Sequence, residues 1–458
     1  MATSRTSKAR SHLPKLNRSS RSKRRLFWLM FGLGGVAILS ATAGALLAMS
    51  LTSTPLLQSQ LSPEDADVFN EGESISSGAN FRLPQLTRPV NILVMGIKVL
   101  SSDIDSPPEE TRDLGYHALV NSFDGLSDTM LLLRFDPQNK QLAILSLPRD
   151  TRTWVEGVGE TKLNEANLQG GPALTATTTS DLLGGVEIDR YVRINVQGVE
   201  KLIDALGGVT VYVPKDMRYQ DDSQHLYINL RQGEQHLDGN QALQFLRFRY
   251  DENGDIGRIQ RQQTMMRALQ EQALSPATLT RLPQILSVIQ SNIDTNLSVE
   301  ELVALVGFAA QTNRSNVEML MLPGEFSSPG QYSLSYWLPS SRRIEEMMAR
   351  YFGLETERSY DSEDHDPDYL RIAIQDSTDN PEAVDALVQQ LDEAGYRNVY
   401  VDRPWSEPLS VTRIVAQQGD TEGAGAVQQA IGLGEVRIES TGSLQSDVTI
   451  QLGRDWNP

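Results

Sequence analysis

A run of 26 uncharged residues near the start of the chain, 26–51, restricts its fold more than any other feature. A helix of this length rises about 39 Å at about 1.5 Å per residue, enough to cross a hydrocarbon core of about 30 Å. The preceding residues 1–25 carry nine Lys or Arg and no acidic residue. Because basic flanks stay on the cytoplasmic side, we expect a single-pass helix with its ectodomain outside the cytoplasmic membrane.

A cleaved secretory signal is the alternative interpretation of the same run, since Ala43-Gly44-Ala45 offers a small-residue cleavage site. The run is longer than the usual apolar region of a signal, about 7 to 15 residues, which favours the membrane anchor. Both interpretations export the remainder of the chain. Residues 52–88 then follow, rich in Ser, Thr, Pro and Gln, and their composition is typical of a stalk.

Charge and cysteine content exclude several classes of function. The chain has a net charge of −18, and setting aside the nine cations of residues 1–25 leaves −27 for the rest. An exported domain of that charge repels nucleic acid, so no nucleic-acid partner is expected. The absence of cysteine excludes disulfides, thiolate metal sites and thiol catalysis. With 39% hydrophobic residues among 458, the chain can form more than one folded domain.

Short apolar runs bounded by turn residues predict a sheet in residues 89–352. Three of them cover 90–95, 130–135 and 141–147. Their length and aliphatic content are typical of buried strands. Together with the helices that follow, they indicate one α/β domain.

Strand and helix patterns alternate further along the same domain. Segments 191–196 and 209–213 are strand-like and flank 199–206, which has helical spacing, so we expect a β-α-β unit. Apolar residues then recur at helical spacing in three segments. The predicted helices cover 256–273, 282–293 and 299–311.

An abrupt change in composition separates this domain from the end of the chain. Residues 353–368 are rich in Asp and Glu and poor in aliphatic residues, which is typical of a linker. Residues 369–458 then alternate short strands with a helix that opens at Asn380-Pro381. We predict a small α+β domain without a catalytic constellation, most consistent with an interaction or wall-binding module.

Arginine placement is the first chemical signal. Arg247 and Arg249 are two residues apart, so in an extended segment both side chains leave one face. On the next predicted helix, Arg258, Arg261 and Gln262 share one face. Four converging guanidinium groups suit a diphosphate, because each offers parallel charge-assisted hydrogen bonds to phosphoryl oxygens. The alternative is a solvated helix face paired with neighbouring acidic residues.

A second polar group of residues follows a buried strand. Residues 146–151 (Ser-Leu-Pro-Arg-Asp-Thr) lie where loops at strand ends commonly hold ligands. Lys162-Leu163-Asn164 and Asn167 come soon after and add a cation. Asp128 begins the preceding strand and is a candidate to hold a divalent metal or to orient a nucleophile. The isolated histidines, by contrast, show no metal-ligand spacing, and no nucleophile elbow or phosphate-binding glycine loop is present.

Taken together and in order, these motifs resemble the LytR-CpsA-Psr (LCP) family of cell-envelope enzymes. The resemblance rests on the strand Asn91-Ile-Leu-Val-Met-Gly96, on Asp128 with its neighbours, on 146–151, on 162–164, on Gly207-Gly208-Val209 and on residues 247–262. The tail from Asp368 to Trp456 is similar to the C-terminal domain often attached to these proteins. A single N-terminal anchor is also a family feature.

The resemblance implies a three-layer α-β-α domain with a central mixed sheet, and a phosphotransferase activity. Such a protein moves a glycopolymer from a polyprenyl-diphosphate carrier to peptidoglycan. The diphosphate-binding residues that carry over are Arg149, Arg247, Arg249, Arg258 and Gln262. The catalytic set is Asp128, Arg149, Lys162, Arg247 and Arg249, with Asp128 as a ligand of Mg²⁺. The family also implies an apolar tunnel for the lipid, which we expect near residues 282–305.

Two departures from the family pattern are present: the first removes a metal ligand, and the second removes one arginine that faces the phosphates. The family's Gly-x-Asp is Gly96-Ile97-Lys98 here, and its Arg-Ser-Asp-Thr begins with Leu126. An acidic insertion lies between these two points. Three hypotheses follow: Asp103 or Asp105 of the insertion supplies the missing metal ligand, Lys98 acts as a fixed cation, or the chain only binds the lipid diphosphate.

Two rival functions stay open at this point. A polyprenyl-diphosphate pyrophosphatase would use the same site with water in place of the acceptor sugar. A non-catalytic envelope regulator would bind the lipid diphosphate without turnover. Product analysis separates the first rival from the transferase, and binding without product identifies the second.

Overall fold

The computed structural model of the chain describes residues 61–69, 74–77, 84–98, 123–222, 226–248, 254–273, 275–309, 311–313, 316–354, 367–417, 419–439 and 441–456. All of them belong to one compact unit, Pro55–Pro458. We call the part up to residue 354 the main domain and the part from residue 367 the C-terminal domain.

The main domain is built on a six-stranded mixed sheet. Its strand order is β13-β8-β3-β4-β5-β14, with parallel pairing of β3 with β8 and of β5 with β14 and antiparallel pairing elsewhere. This confirms the predicted α/β fold with a central mixed sheet. The strands of the main domain are β1 Ser76–Ser77, β2 Gln85–Leu86, β3 Val90–Lys98, β4 Leu126–Asp136, β5 Gln141–Leu147, β6 Arg152–Val155, β7 Gly159–Lys162, β8 Arg190–Asn195, β9 Val209–Val213, β10 Met217–Asp221, β11 Leu226–Leu230, β12 Gly233–Leu237, β13 Ile293–Thr295, β14 Val317–Met321, β15 Gly324–Phe326 and β16 Trp337–Pro339.

Helices cover the sheet and join its strands. Their bounds are α1 Pro63–Asp67, α2 Glu165–Leu182, α3 Val196–Leu206, α4 Gly239–Arg247, α5 Gly254–Ala273, α6 Pro276–Asn292, α7 Val299–Ala309 and α8 Ser341–Phe352. Alternate residues of β3 and β4, such as Leu93 and Leu132, are fully buried and share one core cluster with residues of α2 and α8. The period-2 burial of β-strands therefore places the two helices against the same side of the sheet.

The predicted β-α-β unit is wrong in its pairing, although its elements are present. β9 leaves the central sheet and pairs antiparallel with β12. The reason is that β8 already has two neighbours, β3 and β13, so no edge of β8 is open to β9. The paired strands β9 and β12 form a separate apolar cluster with β10, β11, α4 and α5.

The C-terminal domain has its own five-stranded mixed sheet, in the order β18-β17-β21-β19-β20. Its elements are β17 Ile372–Asp376, α9 Pro381–Glu393, β18 Val399–Val401, β19 Arg413–Ala416, α10 Thr421–Ile431, β20 Glu435–Arg437 and β21 Val448–Leu452. The predicted start of α9 is confirmed, since the Asn380 side chain accepts a hydrogen bond from the Ala383 N–H and Pro381 follows it. Both helices pack on the sheet in one core cluster.

The two domains are joined by apolar and polar contacts. Leu444 of the C-terminal domain is buried in the core cluster of the main domain. The Met319 N–H of β14 donates to the Ile438 carbonyl at 2.9 Å. The Tyr351 hydroxyl donates to the Gly419 carbonyl at 2.7 Å. Burial, with the charge of Glu318, raises the pKa of Tyr351 to about 12, so this hydroxyl keeps its proton at ordinary pH.

Part of the predicted stalk, 52–88, packs on the main domain instead. Phe69 and Ile75 are fully buried, and Phe69 joins the core cluster. Arg88 pairs with Asp189 at 2.6 Å. The apolar side chains in this Ser-rich segment are too few to form a periodic pattern, which explains why composition alone suggested a stalk.

The predicted cytoplasmic tail, 1–25, and membrane helix, 26–51, lie outside the described residues. Most of the predicted acidic linker, 353–368, does so as well. Within the described part of the chain, no helix combines the length and the apolar character that crossing a membrane requires.

Two buried ion pairs connect β8 with the elements around it. Arg190 pairs with Glu301 of α7 at 2.8 Å, and Arg193 pairs with Asp294 of β13 at 2.7 Å. The second pair joins residues directly opposite each other in the β8-β13 ladder. All four side chains are at most 7% exposed. Removing one member of such a pair leaves a charge buried without compensation.

We predict that Arg193→Met destabilises the fold strongly, because the buried Asp294 carboxylate would lose the guanidinium charge beside it. The expected loss is about 3–5 kcal/mol. The double variant Arg193→Met/Asp294→Leu should recover most of it, since it removes both charges. Urea unfolding followed by circular dichroism measures both effects. An equal loss in the single and double variants would contradict the coupling.

Asp447 connects the two domains and should make stability depend on pH. It accepts hydrogen bonds from Arg371 at 2.7 Å and from Arg343 of α8 at 3.1 Å. Burial alone would raise the pKa of the Asp447 carboxyl, but the hydrogen bonds and charges of the two arginines outweigh it and lower that pKa. A lowered pKa stabilises the fold above the unfolded value of about 4, and this stabilisation disappears as the pH falls through the folded value.

Asp447→Asn should therefore lower the free energy of unfolding at pH 7 by about 1–3 kcal/mol and have less effect near pH 3. Asp392→Asn is the matched control, because its pair with Arg397 is well exposed, at 64% and 60%. We expect this control to change stability by less than about 1 kcal/mol. Equal effects of Asp447→Asn at both pH values would refute the linkage.

Candidate active site

The loop between β5 and β6 is fixed by backbone hydrogen bonds on two sides. The Thr151 N–H donates to the Pro148 carbonyl at 3.0 Å and closes a turn around Arg149 and Asp150. The Leu163 and Asn164 N–H groups donate to carbonyls of this loop, and the Trp337 N–H donates to the Asp150 carbonyl at 2.9 Å. Both charged side chains of the loop therefore start from a fixed backbone.

Asp128 is the extra residue of a β-bulge at the start of β4. In the ladder with β3, Thr129 faces Gly96 and Ser127 faces Ile97, so the register shifts by one residue at Asp128. Ser127 is fully buried, and its hydroxyl lies 3.3 Å from the Asn164 carbonyl. Bulges commonly redirect a side chain at the rim of a sheet. Here the bulge directs Asp128 to Arg149.

Four charged side chains of alternating sign form a continuous row, which we call the ion row. Arg149 donates to Asp128 at 2.8 Å and lies 3.4 Å from Asp150. Lys162 donates to the other oxygen of Asp150 at 2.8 Å. Each of the four side chains is 20–23% exposed. Because Asp150 contacts both cations, it orients Arg149 and Lys162 before any ligand arrives.

A small cavity of about 50 Å³ adjoins the ion row. Asp128, Arg149 and Asp150 line its polar side. Its apolar wall consists of Met130, Leu131, Leu147, Met266, Met321, Phe326 and Trp337. None of these residues comes from 282–305, where we expected the lipid-binding tunnel. The flexible methionine side chains allow this wall to adapt to an apolar ligand.

Helix α5 brings one predicted residue to the cavity and directs another away from it. Gln262 lines the cavity and donates to the Thr129 hydroxyl at 3.3 Å. Arg261 is 5% exposed and donates to the Phe248 carbonyl, so it joins the end of α4 to α5. Arg258 lies one turn before Gln262 on α5, but its side chain is outside the described part. The convergence of the four arginines therefore stays a prediction: Arg261 contacts the backbone between Arg247 and Arg249, but it does not line the small cavity.

The extended conformation predicted for the segment around Arg247 is wrong, because Arg247 belongs to a helix. Arg247 is the last residue of α4, which begins with a capping box between Asp238 and Gln241. The backbone becomes extended only at Phe248, with φ −62° and ψ 128°. The capping residues are visible in the sequence and could have predicted this helix. Arg249 lies outside the described residues.

The described residues include one candidate ligand for a magnesium ion. Mg²⁺ is commonly held by one or two carboxylates together with substrate phosphates and water. Asp128 fits the role of one such carboxylate at the mouth of the cavity. The described residues contain no cluster of three or more His, Asp or Glu placed to bind a metal. Asp103 and Asp105 lie outside the described residues, as does the side chain of Lys98.

Three residues at the candidate site were not predicted. Asp150 is part of the motif 146–151, but its contact with both Arg149 and Lys162 depends on the fold. The ring centre of Tyr336 lies 5.7 Å from the Lys162 ammonium in a cation–π contact, and Trp337 lines the cavity. The last two come from a segment nearly 200 residues beyond the ion row, and no sequence pattern connects them with it.

Curated relatives of this chain share a described activity. The chain is 29% identical over 328 residues to the polyisoprenyl-teichoic acid–peptidoglycan teichoic acid transferase TagU of Bacillus anthracis, covering 70% of this chain and 94% of the relative. It is 31% identical over 230 residues to the TagV transferase of Bacillus subtilis, covering 49% and 58%. A crystal structure of protein gbs0355 from Streptococcus agalactiae shares the fold, with a TM-score of 0.50 and 24% identity over 60% of this chain and 91% of that one.

Family models match both domains. The LytR_cpsA_psr family model matches residues 58–352. The model described as LytR cell envelope-related transcriptional attenuator matches residues 369–456. Asp128 and Arg149 line one cavity, and Lys162 is joined to them through Asp150. Since the first match alone spans more than half of the chain, the chain belongs to the LytR-CpsA-Psr family.

Proposed function

We propose that this protein is a phosphotransferase that moves a glycopolymer from a polyprenyl-diphosphate carrier to peptidoglycan during cell-wall assembly. The ion row carries the proposal, because it fixes two cations beside a cavity with an apolar wall. A lipid diphosphate needs both features. The named relatives, which are teichoic acid transferases, support the same reaction class.

The proposal includes the membrane. Residues 26–51 would form a single-pass helix, with residues 1–25 in the cytoplasm and the two domains on the extracytoplasmic side. It also includes a three-layer α-β-α main domain, in which α2 and α8 form one helix layer and other helices would cover the opposite face of the sheet. The C-terminal domain would act as a wall-binding or interaction module.

Binding of the diphosphate would begin at Arg149. Its guanidinium can offer parallel hydrogen bonds to phosphoryl oxygens when these oxygens replace the Asp128 and Asp150 carboxylates as acceptors. Arg247, Arg249 and Arg258 would add positive charge, and Gln262 would donate from α5. Two buried polar atoms of the cavity wall, the Gln263 amide oxygen and the Trp337 indole nitrogen, have no hydrogen-bond partner in the described structure. A ligand could satisfy them.

The reaction itself is a substitution at phosphorus. A hydroxyl oxygen of the acceptor sugar would form a new P–O bond with the sugar-proximal phosphorus while the bond to the bridging oxygen breaks and polyprenyl phosphate leaves. The Asp128 carboxylate would take the hydroxyl proton. Lys162 would stabilise the charge on the leaving phosphate. Positioning and charge neutralisation are the main requirements of phosphoryl transfer, and the ion row provides both.

A magnesium ion would add to this charge neutralisation. Asp128 would hold it together with diphosphate oxygens, with Asp103 or Asp105 of the acidic insertion as the second carboxylate. The same Asp128 cannot hold the ion and accept the proton with full strength, so one of the two roles would dominate. Their balance is open to experiment.

We predict that Arg149→Ala lowers transfer about 10- to 100-fold, the cost of one charge-assisted contact of about 1.5–3 kcal/mol. Arg149→Lys should recover little, because lysine lacks the planar fork. Arg218→Ala is the control, since Arg218 is 72% exposed on β10. The assay combines a polyprenyl-diphosphate glycan with peptidoglycan fragments and identifies products by mass. Wild-type turnover in Arg149→Ala would refute the site.

The same product analysis separates the rival functions. Phosphodiester-linked glycan identifies the transferase. Free polyprenyl phosphate without linked glycan identifies a pyrophosphatase, and lipid binding without product identifies a non-catalytic binder.

The metal hypothesis has its own test. We expect chelation by EDTA to abolish turnover and Mg²⁺ to restore it in the wild type, but not in Asp128→Asn. If an insertion carboxylate completes the site, Asp103→Ala or Asp105→Ala should raise the Mg²⁺ concentration required for half-maximal rate. Unchanged Mg²⁺ dependence in both variants would favour Lys98 as the substitute cation.

A further inference from the structure

One face of the β6-β7 hairpin presents a row of side chains that ends at the ion row. In this hairpin Arg152 is opposite Lys162, and Trp154 is opposite Glu160. Because strand residues alternate between two faces, these four side chains lie on the same face. Val155, on the other face, is fully buried. The hairpin is therefore anchored on one side and available on the other.

Two tyrosines of the main domain pack along this face. The Lys162 ammonium lies 5.7 Å from the ring centre of Tyr336, and the Arg152 guanidinium lies 5.0 Å from that of Tyr332. The two rings pack edge to face with centres 5.4 Å apart. Lys162, Tyr336, Tyr332, Arg152 and Trp154 thus form a surface that we call the aromatic row. It extends from the ion row to an exposed tryptophan.

Trp154 is an unusual residue to leave in water, since 67% of it is exposed. Aromatic side chains of this size usually gain free energy by burial against a partner. Two further exposed apolar residues, Val158 at 44% and Leu334 at 54%, belong to the same hairpin and to the segment that carries the two tyrosines. A binding partner is a physical reason to retain such a surface.

The charges of the row indicate the chemistry of this partner. Arg152 pairs with Glu160, and Lys162 pairs with Asp150, so both cations are compensated. A row without net charge does not favour a polyanionic polymer or an anionic lipid surface. The half-exposed Glu160 carboxylate opposite Trp154 would also lose hydration in a membrane. An uncharged glycan fits, because a sugar ring has an apolar C–H face and a rim of hydroxyls.

We propose that the aromatic row binds the uncharged sugar backbone of the acceptor glycan strand. Sugar rings stack on Trp154 and on the tyrosines, while Arg152 and Glu160 hydrogen-bond their hydroxyls. A strand held in this way reaches Lys162 and Asp150 with one hydroxyl at the ion row. This inference rests on the proposed transferase function and names the binding site of its second substrate.

The test measures both binding and turnover with the full-length protein. The probe is a soluble tetrasaccharide of alternating N-acetylglucosamine and N-acetylmuramic acid whose lactyl carboxyl groups are amidated, so that it carries no charge. In Trp154→Ala we expect the acceptor KM to rise about five- to tenfold, the value of one stacking contact. The KM of the lipid donor should stay unchanged. Trp154→Phe should recover most of the loss, because it restores an aromatic face.

Tyr227→Ala is the matched control, since Tyr227 is an aromatic residue that is 54% exposed on β11 and does not belong to the aromatic row. We expect it to leave the acceptor KM unchanged. Quenching of tryptophan fluorescence by the tetrasaccharide gives a readout without turnover, and it should disappear in Trp154→Ala.

Three results would overturn the inference. The first is an unchanged acceptor KM in Trp154→Ala. The second is a rise in the donor KM alone, which would assign the row to the glycopolymer. The third is that Trp154→Ala loses binding to vesicles of anionic phospholipid while its tetrasaccharide binding is unchanged. That result would assign the aromatic row to the membrane. If the wild type forms no linked product, the proposed function fails, but fluorescence quenching still decides whether the row binds glycan.

Discussion

The buried guanidinium of Arg193 holds together the parts of the main domain on which the site depends. It pairs with Asp294 of the edge strand β13 and lies within hydrogen-bond distance of the Asn167 side chain of α2. Asn167 in turn donates to the carbonyls of Phe123 and Gly125, directly before β4. An ion pair in the core therefore fixes the segment that leads to Asp128. A planar, permanently charged group with several donors is suited to such a junction.

Helix α5 has an equally central position, because it lies between two cavities. Gln262 and Gln263 face the small cavity at the ion row, while Gln260 and Thr264 face a larger one of about 560 Å³ bounded by both domains. The C-terminal domain contacts the helix directly: Gln260 donates to the Gly442 carbonyl at 3.1 Å, and Arg267 lies 3.6 Å from Glu407 and from Glu439. The position of Gln262 thus depends on contacts made by a domain that has no part in the ion row.

Local patterns predicted most of the fold, and long-range contacts account for what they missed. β5 and β9 have the predicted bounds, since short aliphatic runs between turn residues have few alternatives. The pairing of β9 depended on which neighbours β8 had already accepted. At the site, loop position and residue type identified Arg149 and Lys162. The direction of the Arg261 side chain depended on the nearby Phe248 carbonyl, which accepts a hydrogen bond from its guanidinium and holds it out of solvent.

The bulge at Asp128 separates chemistry from folding. Ser127 and Met130 on either side belong to the core, whereas Asp128 is an inserted residue that the ladder with β3 does not need. Deletion of this one residue would restore a regular ladder and leave the core side chains on their faces. The proposed catalytic role of Asp128 could therefore be lost in a single evolutionary step without loss of the fold. Family members that bind the lipid diphosphate but no longer transfer the glycopolymer can arise by the same deletion. A measurement of their stability would not reveal the loss of activity.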